Sequence, residues 1–229
     1  MHLPWTSVSF LLLPLLVACT GPKGEAGPMG PSGAGTPVYY YNNNFDSGGV
    51  SEWKTYQAGG DGSIQAFLDW QTFVSPNQSL GVSTTGETGL DSIAYVSVPV
   101  NLGADVWTEF DWNMQGAVTS GFEFFETLGG LSKKVVLGFN STNLYLVKGT
   151  TAVNVGPQPE LGEWHHVTIK VSGGLNTVSY WIDGRTLGLD YQTNETMQGY
   201  PPSGYLMGIS NHAGASSTTH IDNLQCYHF

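Results

Sequence analysis

Charge is scarce in this chain. Asp, Glu, Lys and Arg make up only 11% of its 229 residues, against roughly 25% in typical soluble domains. Lys and Arg together number seven, and Arg185 is the only arginine. A surface that binds phosphate backbones needs clustered basic groups to displace counterions. None exists here, which argues against a nucleic-acid partner. Cysteine is almost absent as well: there are two, Cys19 and Cys226, without metal-type spacing. No stretch carries the helical period of an amphipathic helix. Neither a P-loop, a dinucleotide fingerprint nor a nucleophile-elbow motif occurs. Gly (31 residues), Ser, Thr and Asn fill the space that charge leaves. Such a composition favours strands joined by tight turns and disfavours exposed helices. An acidic chain (formal net charge -11) with few charged groups and many Asn and aromatic residues suits neutral polar ligands such as sugars, or calcium.

Long apolar runs are missing too. The apolar core from Phe10 to Ala18 is interrupted by Pro14 and falls short of the about 20 residues a membrane helix needs. It has the length of a signal-peptide h-region. The following Leu16-Val17-Ala18-Cys19 resembles the bacterial lipobox. The resemblance implies cleavage after residue 18 and a lipid on Cys19, which would tie the protein to a membrane. The n-region departs from that pattern, with His2 but no Lys or Arg. Plain secretion is the alternative. In that case the sequons at Asn77, Asn140 and Asn194 become glycosylation sites.

From Gly21 the chain reads GPK-GEA-GPM-GPS-GAG, with glycine at 21, 24, 27, 30 and 33. Only glycine fits the axis of a collagen triple helix. The segment 19–37 therefore reads as a Gly/Pro spacer holding a domain off the membrane, or as a stub that joins three chains into a homotrimer.

Residues 38–229 read as short strands separated by Gly, Asn and Ser turns, an all-β pattern. Val106 to Met114 alternates. Val106, Thr108, Phe110, Trp112 and Met114 take one face, and Trp107, Glu109, Asp111 and Asn113 the other. A period of two buries one face and leaves the other for solvent or ligand. Further strands are expected at 121–128, 135–139, 144–148, 152–155, 164–171, 177–182, 205–209 and 220–227. Turns are expected at Asn140–Asn143, at Gly173-Gly174 and, as a tight hairpin, at Asp183-Gly184. A lone Cys226 in the last strand reads as a small buried hydrophobe.

The stretch Gly162-Glu163-Trp164-His165-His166-Val167, followed by Tyr180-Trp181-Ile182-Asp183-Gly184, resembles the laminin G-like branch of concanavalin A-like lectin/glucanase domains. Asn44 to Gly48 and Ile221 to Leu224 are similar to the first and last strands of those domains. The resemblance covers nearly all of 38–229. It implies an antiparallel two-sheet jelly-roll sandwich that carries glycan or protein ligands on one face or on its rim loops. It also implies a structural calcium where the first and last strands meet, with Asp46 and Asp222 as its ligands. A shared fold does not by itself fix function.

Two chemistries compete for the polar face of 106–114. Glu109 and Asp111 resemble the start of the E-x-D-x-x-E strand of family 16 glycoside hydrolases, but the second glutamate is missing, which argues against retaining hydrolysis. Nor does a lyase set of Arg, Gln, His and Tyr assemble in the sequence. Trp107 and Trp181 could stack on sugar faces while Glu109, Asp111 and Asn113 bind hydroxyls. The expectation is a surface-anchored, non-enzymatic carbohydrate-binding or adhesion module. A polysaccharide-active enzyme and a purely structural trimeric head are the alternatives.

Overall fold

A computed structural model describes residues 35–47, 49–57, 63–85, 91–100, 104–115, 122–128, 134–148, 151–172, 177–192, 205–212 and 217–229. The signal segment, Cys19, the Gly-X-Y stretch, the Gly173-Gly174 turn and the Asn194 sequon lie outside them. The described residues form fifteen strands and no helix. In chain order these are β1 (Val38–Asn43), β2 (Lys54–Gln57), β3 (Ser63–Asp69), β4 (Ser79–Thr85) and β5 (Asp91–Val98). Then come β6 (Val106–Gln115), β7 (Phe122–Leu128), β8 (Lys134–Phe139), β9 (Asn143–Lys148) and β10 (Thr151–Pro157). The last five are β11 (Trp164–Val171), β12 (Thr177–Ile182), β13 (Arg185–Gln192), β14 (Tyr205–His212) and β15 (Ser217–His228).

The strands build two antiparallel sheets. Sheet I runs β13-β12-β11-β6-β15-β4-β3, with β1 added on β15, and sheet II runs β10-β9-β8-β7-β14-β5-β2. The architecture is all-β, as the alternation indicated, and the antiparallel two-sheet jelly roll that the resemblance implied. As expected, Val106, Phe110, Trp112 and Met114 point between the sheets and are buried. Phe110 meets Phe124 of β7 at 4.2 Å between ring centroids, and Trp112 meets Phe139 of β8 at 5.2 Å. Trp112 Nε1 donates to Thr219 Oγ1 at 2.6 Å, so its polar edge is satisfied inside the core. Truncating such a ring costs about 3–5 kcal/mol. Cys226 is fully buried in the same core.

The first strand is not where the resemblance placed it. Residues 38–43 pair with β15, while Asn44 to Ser47 form bends. Asn43 and Asn44 accept backbone N–H groups of Phe45 and Asp46 through their Oδ1 atoms. This Asx bonding competes with a sheet ladder and ends the strand. Strands β2 to β5 and β13 were not legible as elements. The hairpin at Asp183-Gly184 is as expected, with both residues at positive φ (49° and 71°).

β15 is the seam of sheet I. Its first half pairs with β4 and its second half with β1, while β6 flanks both halves. The register slips between Asp222 and Gln225, and Asn223 has φ 51°. That one-residue bulge keeps Asp222 and Gln225 on the same face despite an odd spacing.

Candidate functional site

The outer face of sheet I gathers the polar half of β6 with its neighbours. Register partners on β11 place Trp164 beside Asn113, His166 beside Asp111, Thr168 beside Glu109 and Lys170 beside Trp107. On the other side lie His220, Asp222, Gln225 and Tyr227 of β15, and β12 adds Trp181 opposite Thr168. All five residues expected to touch a sugar therefore share one face, but they are not equally open.

Trp107 is only 7% exposed. Trp181 stacks on it at 6.1 Å and 18° between planes, and Phe229 packs edge-on at 6.4 Å. Lys170 Nζ sits 5.3 Å from its ring centroid, anchored by Asp105 at 2.7 Å. Trp107 is thus the underside of an aromatic cluster rather than an open platform. Trp181 is half-buried and gives the cluster its accessible indole. Tyr39 and Tyr227, in edge contact at 5.7 Å, continue the cluster across β15 to β1.

Asp111 and Asn113 are likewise covered, at 4% and 1% exposure. Asp111 Oδ1 pairs with His166 Nδ1 at 2.9 Å, and its Oδ2 accepts from Asn223 Nδ2 at 2.8 Å. Both oxygens are occupied, so Asp111 clamps three strands together instead of offering a second acid. Burial pulls the His166 pKa down, but the bond and charge of Asp111 more than reverse this and hold it above the usual imidazole value. Glu109 is half-buried. Its Oε1 accepts from the Tyr227 hydroxyl at 2.8 Å, while no described residue donates to Oε2. Among the described residues, three buried polar atoms on this face have no partner: Thr168 Oγ1, Asn113 Oδ1 and His220 Nδ1. Asn113 Nδ2 already donates to the Gly162 carbonyl at 2.8 Å, and His220 Nε2 is bound to Asp69 at 2.7 Å. The leftover atoms on Asn113 and His220 are therefore acceptors that call for a donor.

Asp46 and Asp222 do meet, at the hydroxyl of Ser75. Ser75 Oγ donates to Asp222 at 2.9 Å and lies 3.5 Å from Asp46 Oδ1. Asp222, with no exposed surface, also accepts the backbone N–H groups of Val74 and Ser75 at 2.8 Å and of Asn223 at 2.7 Å. A calcium ion wants six to eight oxygen lone pairs. Here N–H and O–H groups already face the carboxylate, so this donor set does not fit the ion. What Asp222 does is fasten the β3–β4 loop into the gap where β4 stops and β1 begins. Among the described residues no group of three or more His, Cys, Asp or Glu could hold a metal.

Sequence reasoning missed several residues that the fold brings to this face. His166, Tyr227 and Asn223 complete the network, and the bulge that aims Asn223 leaves no periodic trace. Trp70, in the β3–β4 loop, is 69% exposed. A tryptophan in a turn-rich segment was the available signal.

The sequence matches no family model, and no curated protein matches it. Solved structures do match by shape. One is a sialidase (TM-score 0.60, 11% identity, 82% of this chain), of which the chain spans only 18%. A second is a cellulose-induced protein, Cip1 (TM-score 0.57, 15% identity, 81% of this chain and 96% of that one). A third is the carbohydrate recognition domain of Emp47p (TM-score 0.55, 12% identity, 87% and 99%). At these identities the likeness is one of fold, and the chain shares their β-sandwich architecture.

Proposed function

We propose that residues 38–229 are a non-enzymatic carbohydrate-binding module that uses the outer face of sheet I. One observation carries the reading: Trp181, backed by Trp107, shares the outer face with Glu109, which lies across Thr168 and has one oxygen to which no described residue donates. A flat apolar ring next to fixed acceptors is what a sugar's C–H face and hydroxyls require. The shared fold with a carbohydrate recognition domain supports it. So does the saturation of Asp111, which leaves Glu109 without a partner acid for hydrolysis. The lipobox-like Cys19 and the Gly/Pro segment add the proposal that the module is displayed from a membrane as an adhesin.

A screen of the protein against neutral glycans tests this, with each bound glycan chromatographed for cleavage. Binding without cleavage is expected. Trp181→Ala should weaken it by about tenfold, the equivalent of about 1.4 kcal/mol, within the range of a lost aromatic contact. Cleavage of the bound glycan would overturn the non-enzymatic reading. Unchanged affinity in Trp181→Ala would overturn the choice of face.

A further inference from the structure

A cavity of about 220 Å³ opens at the rim of the sandwich, away from the aromatic cluster, between the end of β10 and the β12–β13 hairpin. Pro157 and Pro159 form apolar wall, and Gln158, His165, Asp183 and Arg185 supply the polar atoms. His165 and Asp183 are held from behind. His165 Nδ1 pairs with Asp183 Oδ2 at 2.7 Å, and its Nε2 faces the Glu160 carbonyl at 3.2 Å. The other Asp183 oxygen accepts the His166 N–H at 2.8 Å. Asp183 is therefore spent as an acceptor.

The donors are not spent. Among the described residues none accepts from the Arg185 guanidinium, and Gln158 Nε2 is buried with no partner. Arg185 is positioned by what Gly156 lacks: a Cβ there would lie 3.2 Å from a guanidinium nitrogen. The guanidinium thus lies flat against the β10 bulge and bridges the edges of the two sheets. Burial lowers the His165 pKa, but Asp183 and the Glu160 carbonyl outweigh it and raise it overall. With His165 protonated, the cavity carries two cations against one carboxylate, on a chain whose net charge is -11. The only arginine of the sequence sits here.

We propose that this rim cavity binds the carboxylate of an acidic sugar residue, with Arg185 and Gln158 as donors and the proline wall against the ring. An arginine fork matches a carboxylate with two parallel bonds. The volume lies below the roughly 300–1,000 Å³ of drug-sized pockets, so one ring is the unit it takes. This site is separate from the Trp181 face, and either can fail alone.

The test is a titration of the full chain with glucuronate, glucose and sulfate, followed by NMR or calorimetry. Glucuronate should bind at least about tenfold more tightly than glucose or sulfate. Arg185→Gln, at an exposed position, should remove that preference while Trp181→Ala leaves it intact. Gly156→Val, which displaces the guanidinium without deleting it, should weaken glucuronate in the same direction. Equal binding of glucose would overturn the proposal, as would sulfate binding as tightly as glucuronate, or an unchanged affinity in Arg185→Gln. Neutral-glycan binding that is lost in Trp181→Ala but kept in Arg185→Gln would leave the outer-face reading standing whatever happens here.

Discussion

Asp222 shows how one side chain organises a loop. Its carboxylate is the acceptor for two backbone N–H groups of the β3–β4 loop, at Val74 and Ser75. Asp222→Ala leaves both without an acceptor, and each buried unsatisfied donor costs about 1–3 kcal/mol. A loss of about 3 kcal/mol in chemical denaturation is expected. Ionisation at this and other buried sites also sets the pH response. Burial pushes the Asp222 carboxyl up to about 6, against the pull of its N–H donors. A folded pKa above the unfolded one means its contribution to stability falls as pH rises from about 4 through about 6. His165 and His166, both raised, act in the same direction at higher pH. Their contribution is complete below about pH 6.5 and is lost as pH climbs through the folded values. His220 opposes them. Burial lowers its pKa, so its contribution is present above about pH 6.5 and lost as pH falls through the folded value. The melting temperature should therefore drop between pH 6.5 and 8. Asp111→Asn, which removes the charge that raises His166, should flatten part of that drop. An unchanged slope in the variant would refute the assignment.

Strand-level packing turns on two glycines that the alternation pattern treats as gaps. Gly81 of β4 lies under the Phe67 ring, and a Cβ would come within 2.5 Å of it. Gly208, in the middle of β14, would place a Cβ 2.2 Å from the Ala94 carbonyl oxygen. A ring can tilt, whereas a backbone paired on both sides cannot. Overpacking typically costs about 1–3 kcal/mol. Gly208→Ala should sit at or above the top of that range and Gly81→Ala nearer the bottom, as read from denaturant midpoints. The reverse order would mean that sheet II yields more easily than its register implies. The strands legible in the sequence, such as β6 and β11, are those with strict alternation of large apolar and polar residues. Strand β3 carries Phe67 and Asp69 outward beside Leu68, and β4 is Ser-, Gly- and Thr-rich. Their hydrophobic contrast is too weak to show a period of two.

At the scale of the whole molecule, the two termini of the described domain meet. β1 and β15 pair along sheet I, and the junction with β4 is closed by hydrogen bonds to Asp222. Because that junction offers donors, calcium should add nothing to stability by mass action. The melting temperature in EDTA should equal that in millimolar calcium, and an upward shift with calcium would show that an ion displaces the Ser75 and Val74 donors.

Composition and alternation alone determined the all-β class, the two faces of β6 with Trp107, Glu109, Asp111 and Asn113 on one of them, and the Asp183-Gly184 hairpin. These follow from local rules: a period of two assigns a side chain to a face whatever the strand's neighbours are. The sheet order brought Trp181 to the same face as those four. Which of those residues remain open was decided by the tertiary structure. Neighbouring strands lie about 5 Å apart, so the side chain opposite sets accessibility. Trp181 and Phe229 cover Trp107, His166 and Asn223 consume Asp111, and the Gly162 carbonyl fixes Asn113. The bulge at Asn223, the loop bound to Asp222 and the arginine laid against Gly156 all depend on contacts between residues far apart in sequence, and no local pattern records them.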